Sequence, residues 1–172
     1  MKIIEALKEQ KIIHAKVSRN NELIRKYSSK VSVEKPYFET DDEQQNAVCR
    51  LIQANIDLGN RYLMLKRSID LTNATTKVEI LGKTFTISDL LNLKRFAIEN
   101  IFLPTYQSLS TEHAESSRAL FLRQDSTRDI SLVTFYKEEE KNKNIQMYRD
   151  LLDNIDSKLE IVNATTDLCI AE

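Results

Sequence analysis

The sequence predicts a mainly α protein in which long antiparallel helices form a coiled-coil-like bundle with a small β-hairpin or sheet element. Three observations favour this class. Apolar residues recur at alternating spacings of three and four in three long segments, which is the pattern of a coiled-coil seam. The 172 residues include only two glycines and two prolines, so the many turns of an all-β protein would be hard to build. Charged residues make up 30% of the chain and Trp is absent, which is typical of helices flanked by solvent.

Two long helices are predicted in the first half of the chain, over about residues 2–27 and 41–72. The seam of the first helix is formed by Ile3, Leu7, Gln10, His14, Val17, Asn21 and Ile24. The seam of the second is formed by Leu51, Asn55, Leu58, Tyr62, Leu65, Ile69 and Thr72. A loop that contains Pro36 separates them.

A small β element is predicted over about residues 77–87 and 130–136. Val78, Ile80, Phe85 and Ile87 alternate with polar residues on either side of Leu81-Gly82-Lys83, which indicates a hairpin with Gly82 in its turn. The stretch ISLVTFY at 130–136 is rich in β-branched and aromatic residues, so we expect it to join the hairpin as a further strand.

The remaining segments are predicted to be helical. A third helix covers about residues 88–120, with Ser88 as its cap and a break near Pro104. A fourth covers about residues 138–162, and its seam is Ile145, Tyr148, Leu152, Ile155, Leu159 and Val162. We therefore expect one helical domain over residues 1–172. Helices of this length expose more apolar surface than one chain can cover, which favours a homo-oligomer.

Composition argues against several functional classes. The net charge of −1 gives no general attraction to nucleic acid, and no segment has the ~18 consecutive apolar residues of a membrane span. Cys49 and Cys169 are far apart in the sequence and fit reduced thiols better than a disulfide framework. The first residues alternate between apolar and charged, unlike a secretory signal. We expect a cytoplasmic protein.

Catalytic and metal-binding patterns are not found. The sequence has no G-x-S-x-G motif and no Gly-rich phosphate loop. His14 and His113 have no ligand-type residues at metal-binding spacing. Glu138, Glu139 and Glu140 point around a helix rather than toward one point, so a solvated first turn explains them. The prediction is a non-enzyme with no catalytic residues, metal or cofactor.

The tetrapeptide NATT occurs twice, at Asn73–Thr76 and Asn163–Thr166, each time at the end of a long predicted helix. One interpretation is structural, because Asn readily adopts the left-handed conformation that ends a helix and Thr can cap the next element. The other is recognition, because an amide and paired hydroxyls suit a small polar ligand. Basic residues near the first copy could add charge. The candidate ligand-binding residues are Asn73, Thr75, Thr76, Asn163, Thr165, Thr166, Arg61, Arg67, Lys77, Lys83 and Arg95.

Several of these stretches resemble an uncharacterised family of bacterial coiled-coil proteins, some of whose members carry the label septicolysin-like. The similar stretches are Glu5-Ala6-Leu7, IDLTNATT, GKTFTISDLL, ISLVTFY and the final NATTDL, so nearly the whole chain is covered. The resemblance implies an oligomeric α-helical fold with a small β element and Asn-Thr-rich turns at Thr72–Thr76 and Asn163–Thr166. It implies no particular reaction.

Three functional hypotheses follow from the sequence. The first is an oligomeric binding protein that recognises or sequesters a nucleotide-like ligand, since phosphate suits Lys and Arg while Asn suits a base edge or a ribose. The second is a structural or scaffolding coiled coil that binds another protein. The third is a membrane-active protein in the sense of the cytolysin label.

Overall fold

The computed structural model describes residues 1–124 and 129–169. It confirms the predicted class, because the described chain is mainly helical and carries one small antiparallel sheet. The elements are α1 (Ile3–Tyr27), α2 (Asp41–Thr75), β1 (Lys77–Ile80), β2 (Lys83–Thr86), α3 (Ile87–Asn92), a π-helical segment (Leu93–Phe102), α4 (Leu103–Gln107), α5 (Glu112–Gln124) and α6 (Glu138–Thr165). The chain divides into a first compact unit, Met1–Thr76 with Ile161–Glu172, and a second, Lys77–Glu160.

The first unit is built on the antiparallel pair α1 and α2, and the predicted seam of α2 packs against α1. In α1 the residues buried against α2 are Ala6 and Ile13, each one position before a predicted seam residue, because the contact face is rotated slightly from the predicted one. Its core is formed by the buried side chains of Ala6, Ile13, Leu65 and Ile69, surrounded by Leu7, Val17, Leu58, Tyr62 and Leu168. Polar residues also pair across the two helices, since the Asn20 amide donates to Asn55 Oδ1 over 2.9 Å and the Asn55 amide donates to Asn21 Oδ1 over 2.9 Å. The alternation of seam residues therefore fixes the register of the two helices.

The second unit begins with the predicted hairpin. Lys77 pairs with Thr86 and Ile80 with Lys83, and Gly82 lies in the turn with a φ of 74°. Val78 and Ile80 are buried, so one face of the hairpin contributes to the core. The predicted cap of the following helix is displaced by two residues. Thr86 takes that position instead of Ser88, because its hydroxyl accepts from the Asp89 backbone N–H.

Side-chain contacts attach the following helical stretch to α6 within this unit. The Lys94 ammonium lies 2.5 Å and 2.7 Å from the two carboxylate oxygens of Asp156. The rings of Phe102 and Tyr148 stack with their centroids 5.1 Å apart. A buried aliphatic core accompanies these contacts and includes Ile87, Leu90, Ile98, Ile155 and Leu159.

The predicted break near Pro104 is displaced toward the C-terminus. Pro104 lies in the first turn of α4, where its missing N–H is tolerated, and the helical stretch continues past it to Gln107. The interruption falls between Gln107 and Glu112. Two other predicted helices are longer than expected, since α2 and α6 continue to Thr75 and Thr165.

The prediction of a strand at Ile130–Tyr136 is wrong. The sheet in the described chain has two strands, β1 and β2, and Ile130–Tyr136 lies in neither a helix nor a strand. Within the described residues this segment forms no backbone–backbone hydrogen bond. Strand-forming residues need a neighbouring edge to pair with, and the sequence pattern alone does not supply that edge.

Candidate functional site

Both NATT copies lie in the first unit, and each forms the last turn of a helix. α2 continues through Asn73 to Thr75, and α6 continues through Asn163 to Thr165. The expectation that Asn ends each helix in the left-handed conformation is wrong. Among the described non-glycine residues only Leu81 has a positive φ, so both asparagines keep right-handed backbone.

Equivalent threonines in the two copies form equivalent hydrogen bonds. The hydroxyl of Thr75 donates to the backbone carbonyl four residues earlier over 2.9 Å, and that of Thr165 does the same over 2.8 Å. The N–H groups of Thr76 and Thr166 each donate to the carbonyl four residues earlier over 2.9 Å. The two NATT copies therefore form the same hydrogen bonds, which complete the last turn of each helix.

The chain after the second copy runs beside the start of α1. The N–H of Ile3 donates to the Thr166 carbonyl over 3.1 Å, and the N–H of Leu168 donates to the Met1 carbonyl over 2.8 Å. These bonds satisfy one of the N–H groups that the first turn of α1 leaves unpaired. They form a short antiparallel bridge that joins the two ends of the chain.

Lys2 contributes a charged contact to this bridge. Its ammonium donates to the Thr165 carbonyl over 2.7 Å and to Oδ2 of Asp167 over 2.8 Å. The hydrogen bond from Lys2 holds the pKa of the Asp167 carboxyl below its ordinary value. The Lys2 ammonium therefore supplies a hydrogen-bond donor to a carbonyl that the C-terminal end of α6 leaves without a helical partner, and it also pairs with the Asp167 carboxylate.

Thr72 links the first copy to the same segment. Its side chain is fully buried, and Oγ1 both donates to the Ser68 carbonyl over 2.7 Å and accepts from the N–H of Cys169 over 2.8 Å. The ends of α2 and α6 therefore share one region of the first unit, which we call the helix-end junction. It comprises Lys2, Thr72–Thr76 and Asn163–Cys169.

The two asparagine amides differ from the side chains of the junction that already form hydrogen bonds. Asn73 and Asn163 are half-buried, and within the described residues neither side chain has a hydrogen-bond partner. Lys2, Thr72, Thr75, Thr165 and Asp167 all use their side chains in the bonds given above. The two amides, together with the hydroxyls of Thr76 and Thr166, which form no side-chain hydrogen bond with the described residues, therefore remain able to donate to and accept from a ligand.

The predicted basic residues of the first unit do not gather at the junction. Arg61 donates to both carboxylate oxygens of Glu9, over 2.7 Å and 3.0 Å, and this bond lowers the pKa of the Glu9 carboxyl. Twelve residues separate Arg61 from Asn73 along α2, a distance of about 18 Å. Arg67 is exposed and lies about 9 Å from Asn73 along the same axis.

The other three basic residues lie in the second unit. Lys77 and Lys83 are on adjacent strands, but the register places them on opposite faces of the hairpin because Lys77 pairs with Thr86 and Lys83 with Ile80. Arg95 lies exposed in the π-helical segment. Lys77 and Lys83 therefore cannot both contact one ligand on the same face of the hairpin.

Sequence reasoning missed the participation of Lys2, Thr72 and Cys169 in the junction. Each contacts residues far away in the sequence, at separations between 97 and 165 positions. Thr72 is a seam position in the sequence, and a polar residue at the end of an apolar seam is the one local signal that indicates a buried hydrogen bond.

A second candidate surface lies in the second unit beside the unpaired segment Ile130–Tyr136. A cavity of about 300 Å³ separates this segment from the turn between α4 and α5, and Leu109, His113 and Leu132 are among its lining residues. Phe135 is 98% exposed and Val133 is 67% exposed. The segment therefore presents large apolar side chains and free backbone groups next to a cavity.

Two kinds of feature are absent from the described residues. Among them, no group of three or more His, Cys, Asp or Glu side chains is arranged to hold a metal ion. No helix within residues 1–124 and 129–169 is both long and apolar enough to cross a bilayer.

Comparison with known proteins identifies the fold. A scan against protein-family models and a search of curated proteins find no match for the chain. Among solved structures, it is similar to the crystal structure of a functionally unknown conserved protein from Corynebacterium diphtheriae, with 20% sequence identity and a TM-score of 0.59. The match covers 98% of this chain and 99% of that chain. The two proteins therefore share a helical fold over their whole length.

Proposed function

We propose that the protein is a non-enzymatic, oligomeric helical binding protein that binds another protein chain through the segment Ile130–Tyr136. One observation carries this proposal: a segment with the composition of a strand has no strand partner in the described chain. The side chains of Phe135 and Val133 are left largely exposed. Exposed aromatic side chains beside a cavity are typical anchors of protein–protein contacts.

The mode of binding that fits this surface is strand addition. An extended peptide of the partner pairs with the free N–H and C=O groups of Ile130–Tyr136, as peptides do with the exposed edge of a sheet. The cavity beside the segment then accepts one side chain of the peptide, with His113 and Ser110 as polar lining. Main-chain hydrogen bonds supply affinity in such complexes, and the side-chain pocket supplies selectivity.

Selection of displayed peptides on the purified chain tests the proposal. We expect selected peptides to be extended and rich in β-branched residues, and we expect Phe135→Ala to weaken their binding by at least about tenfold in fluorescence polarisation. Lys137→Ala is the matched control, because Lys137 is exposed and its surface ion pair with Glu140 lies outside the segment. Failure to select any peptide, or equal binding by Phe135→Ala, would contradict the proposal.

A second candidate function is recognition of a small polar, nucleotide-like ligand at the helix-end junction. The observation that favours it is that the Asn73 and Asn163 amides have no hydrogen-bond partner among the described residues. Thermal-shift measurements with nucleotides and cyclic dinucleotides test it, since a bound ligand raises the apparent stability by RT ln(1 + [L]/Kd). The shift should disappear in Asn73→Ala and Asn163→Ala while both variants stay folded. A shift that survives both substitutions would place the ligand elsewhere.

A further inference from the structure

The face of α2 that points away from α1 carries a second coiled-coil seam. Its members, which follow one another at spacings of three and four, are Cys49, Ile52, Ile56, Gly59 and Leu63. The three large side chains are 45%, 52% and 54% exposed, in the order Ile52, Ile56 and Leu63. At 100° per residue this seam is centred about 140° around the helix from the seam that packs against α1. α2 therefore has two apolar stripes, and α1 covers one of them.

Gly59 in the middle of this second seam is not explained by the chain itself. The sequence has only two glycines, and the other one, Gly82, is in a turn with positive φ. Gly is the least favourable residue after Pro inside a helix. A Cβ added at Gly59 would meet no atom within 4 Å, so no described neighbour requires the absence of a side chain. A glycine on a helix surface allows another backbone to approach closely.

We propose that this seam binds α2 of a second copy of the chain in an antiparallel helix pair. A parallel pair would set Asp42 beside the partner's Asp42 and Arg67 beside the partner's Arg67, which is unfavourable. In an antiparallel pair the acidic first turn of α2 lies beside the basic residues near its C-terminal end. Charge complementarity at both ends therefore favours a second, antiparallel copy of α2 as the occupant.

One register pairs four of the five seam residues with one another and places Leu63 against the partner's Gln45, which lies four residues before Cys49 on the same face. Ile52 lies against the partner's Ile56, Cys49 lies against the partner's Gly59, and Asp42 lies against the partner's Lys66. The two-fold symmetry of the pair repeats each contact, so the Cys49–Gly59 contact and the Asp42–Lys66 charge pair each occur twice. In a register centred on Gly59 itself, Lys66 would lie against the partner's Ile52, which removes its pairing with Asp42 and buries an ammonium against an aliphatic side chain.

Disulfide trapping tests the register. In a Cys169→Ser background, Gly59→Cys should form disulfide-linked dimers with the partner's Cys49 under mild oxidation, because the register brings their Cβ atoms into bonding range. The linked dimer should disappear when Cys49→Ser is added. Linked dimers that persist without Cys49 would join two engineered cysteines and overturn the register.

Light scattering after size-exclusion chromatography tests the surface. The unmodified chain should be a dimer, and Ile56→Glu should raise the dimer dissociation constant by at least about tenfold while the helical circular dichroism signal is unchanged. Ala54→Glu is the matched control, because Ala54 is exposed on another side of α2 and the same charge there should leave the dimer intact. A monomer at all concentrations, or equal weakening by both substitutions, would overturn the proposal. The proposal uses α2 alone and does not depend on peptide binding at Ile130–Tyr136.

Discussion

The backbone N–H of Cys169 donates a 2.8 Å hydrogen bond to the hydroxyl of Thr72, and the Thr72 side chain is fully buried. The same hydroxyl donates to the carbonyl of Ser68 in the preceding turn of α2. One side chain therefore joins the last turn of α2 to the chain that follows α6. The terminal segment is part of the packing of the first unit because Leu168, the residue before Cys169, also contacts its core.

We expect Thr72→Val to destabilise the protein by about 1–2 kcal/mol. Val keeps the side-chain volume but removes the acceptor, which leaves the partly buried N–H of Cys169 without its partner. The measurement is the free energy of unfolding from denaturant titration, together with faster hydrogen exchange of the Cys169 amide. Thr75→Val is the control, since that hydroxyl is exposed and bonds to carbonyls of its own helix. Equal losses in the two variants would mean that the bond to Cys169 adds nothing.

The Asp167 carboxylate should make stability depend on pH. The hydrogen bond from Lys2 lowers the pKa of Asp167 in the folded state, below the unfolded value of about 3.9. The contribution is therefore complete above that value and is lost as the pH falls through the folded-state pKa. Urea unfolding midpoints should be lower for Asp167→Asn than for the unmodified chain at pH 6.

The difference between those midpoints should shrink as the pH is lowered toward 2.5, because a protonated Asp167 and an Asn both lack the charge that pairs with Lys2. Asp153→Asn provides the comparison, since Asp153 is exposed and forms no ion pair among the described residues. A difference that stays constant over this pH range would show that Asp167 acts through packing or backbone geometry instead of charge.

A double-mutant cycle on Glu9 and Arg61 should give a coupling free energy of about 0.5 kcal/mol. Their contact is bidentate, which favours it, but both side chains remain partly exposed and solvent screens the attraction. The bond from Arg61 lowers the pKa of Glu9, so the coupling should be complete above the unfolded-state pKa of about 4.3 and lost as the pH falls through the folded-state pKa. Molar salt should weaken it. A coupling well above 1 kcal/mol that resists salt would mean that the pair is more shielded than its exposure indicates.

Periodicity predicted the helices because it reports a local property. The seam that contains Leu58, Tyr62 and Leu65 repeats every seven residues, and any helix with that repeat must bury the stripe against another helix. The signal that predicts the hairpin is also local, because Gly82 supplies the positive φ that its turn needs. These features need no knowledge of distant residues.

The strand at Ile130–Tyr136 was mispredicted because β-propensity describes a side chain's fit to a sheet without providing the neighbouring strand. Part of the helix-end junction was missed for a related reason. The NATT repeat is visible in the sequence, but the contacts of Lys2 with Asp167 and of Thr72 with Cys169 join residues 165 and 97 positions apart. No local pattern encodes which distant carbonyl or carboxylate an ammonium will meet.

Replacing Leu81 by Asn should stabilise the hairpin by about 1 kcal/mol. Leu81 and Gly82 both have positive φ, at 50° and 74°, and an ordinary side chain pays an energetic penalty in that region that Asn largely avoids. Little burial is lost, because Leu81 is 79% exposed. Slower hydrogen exchange of the β1 and β2 amides would measure the gain. Gly82→Ala should shift exchange in the opposite direction because it adds a Cβ at a positive φ. Faster exchange in Leu81→Asn would instead show that the exposed leucine contributes contacts that outweigh its backbone strain.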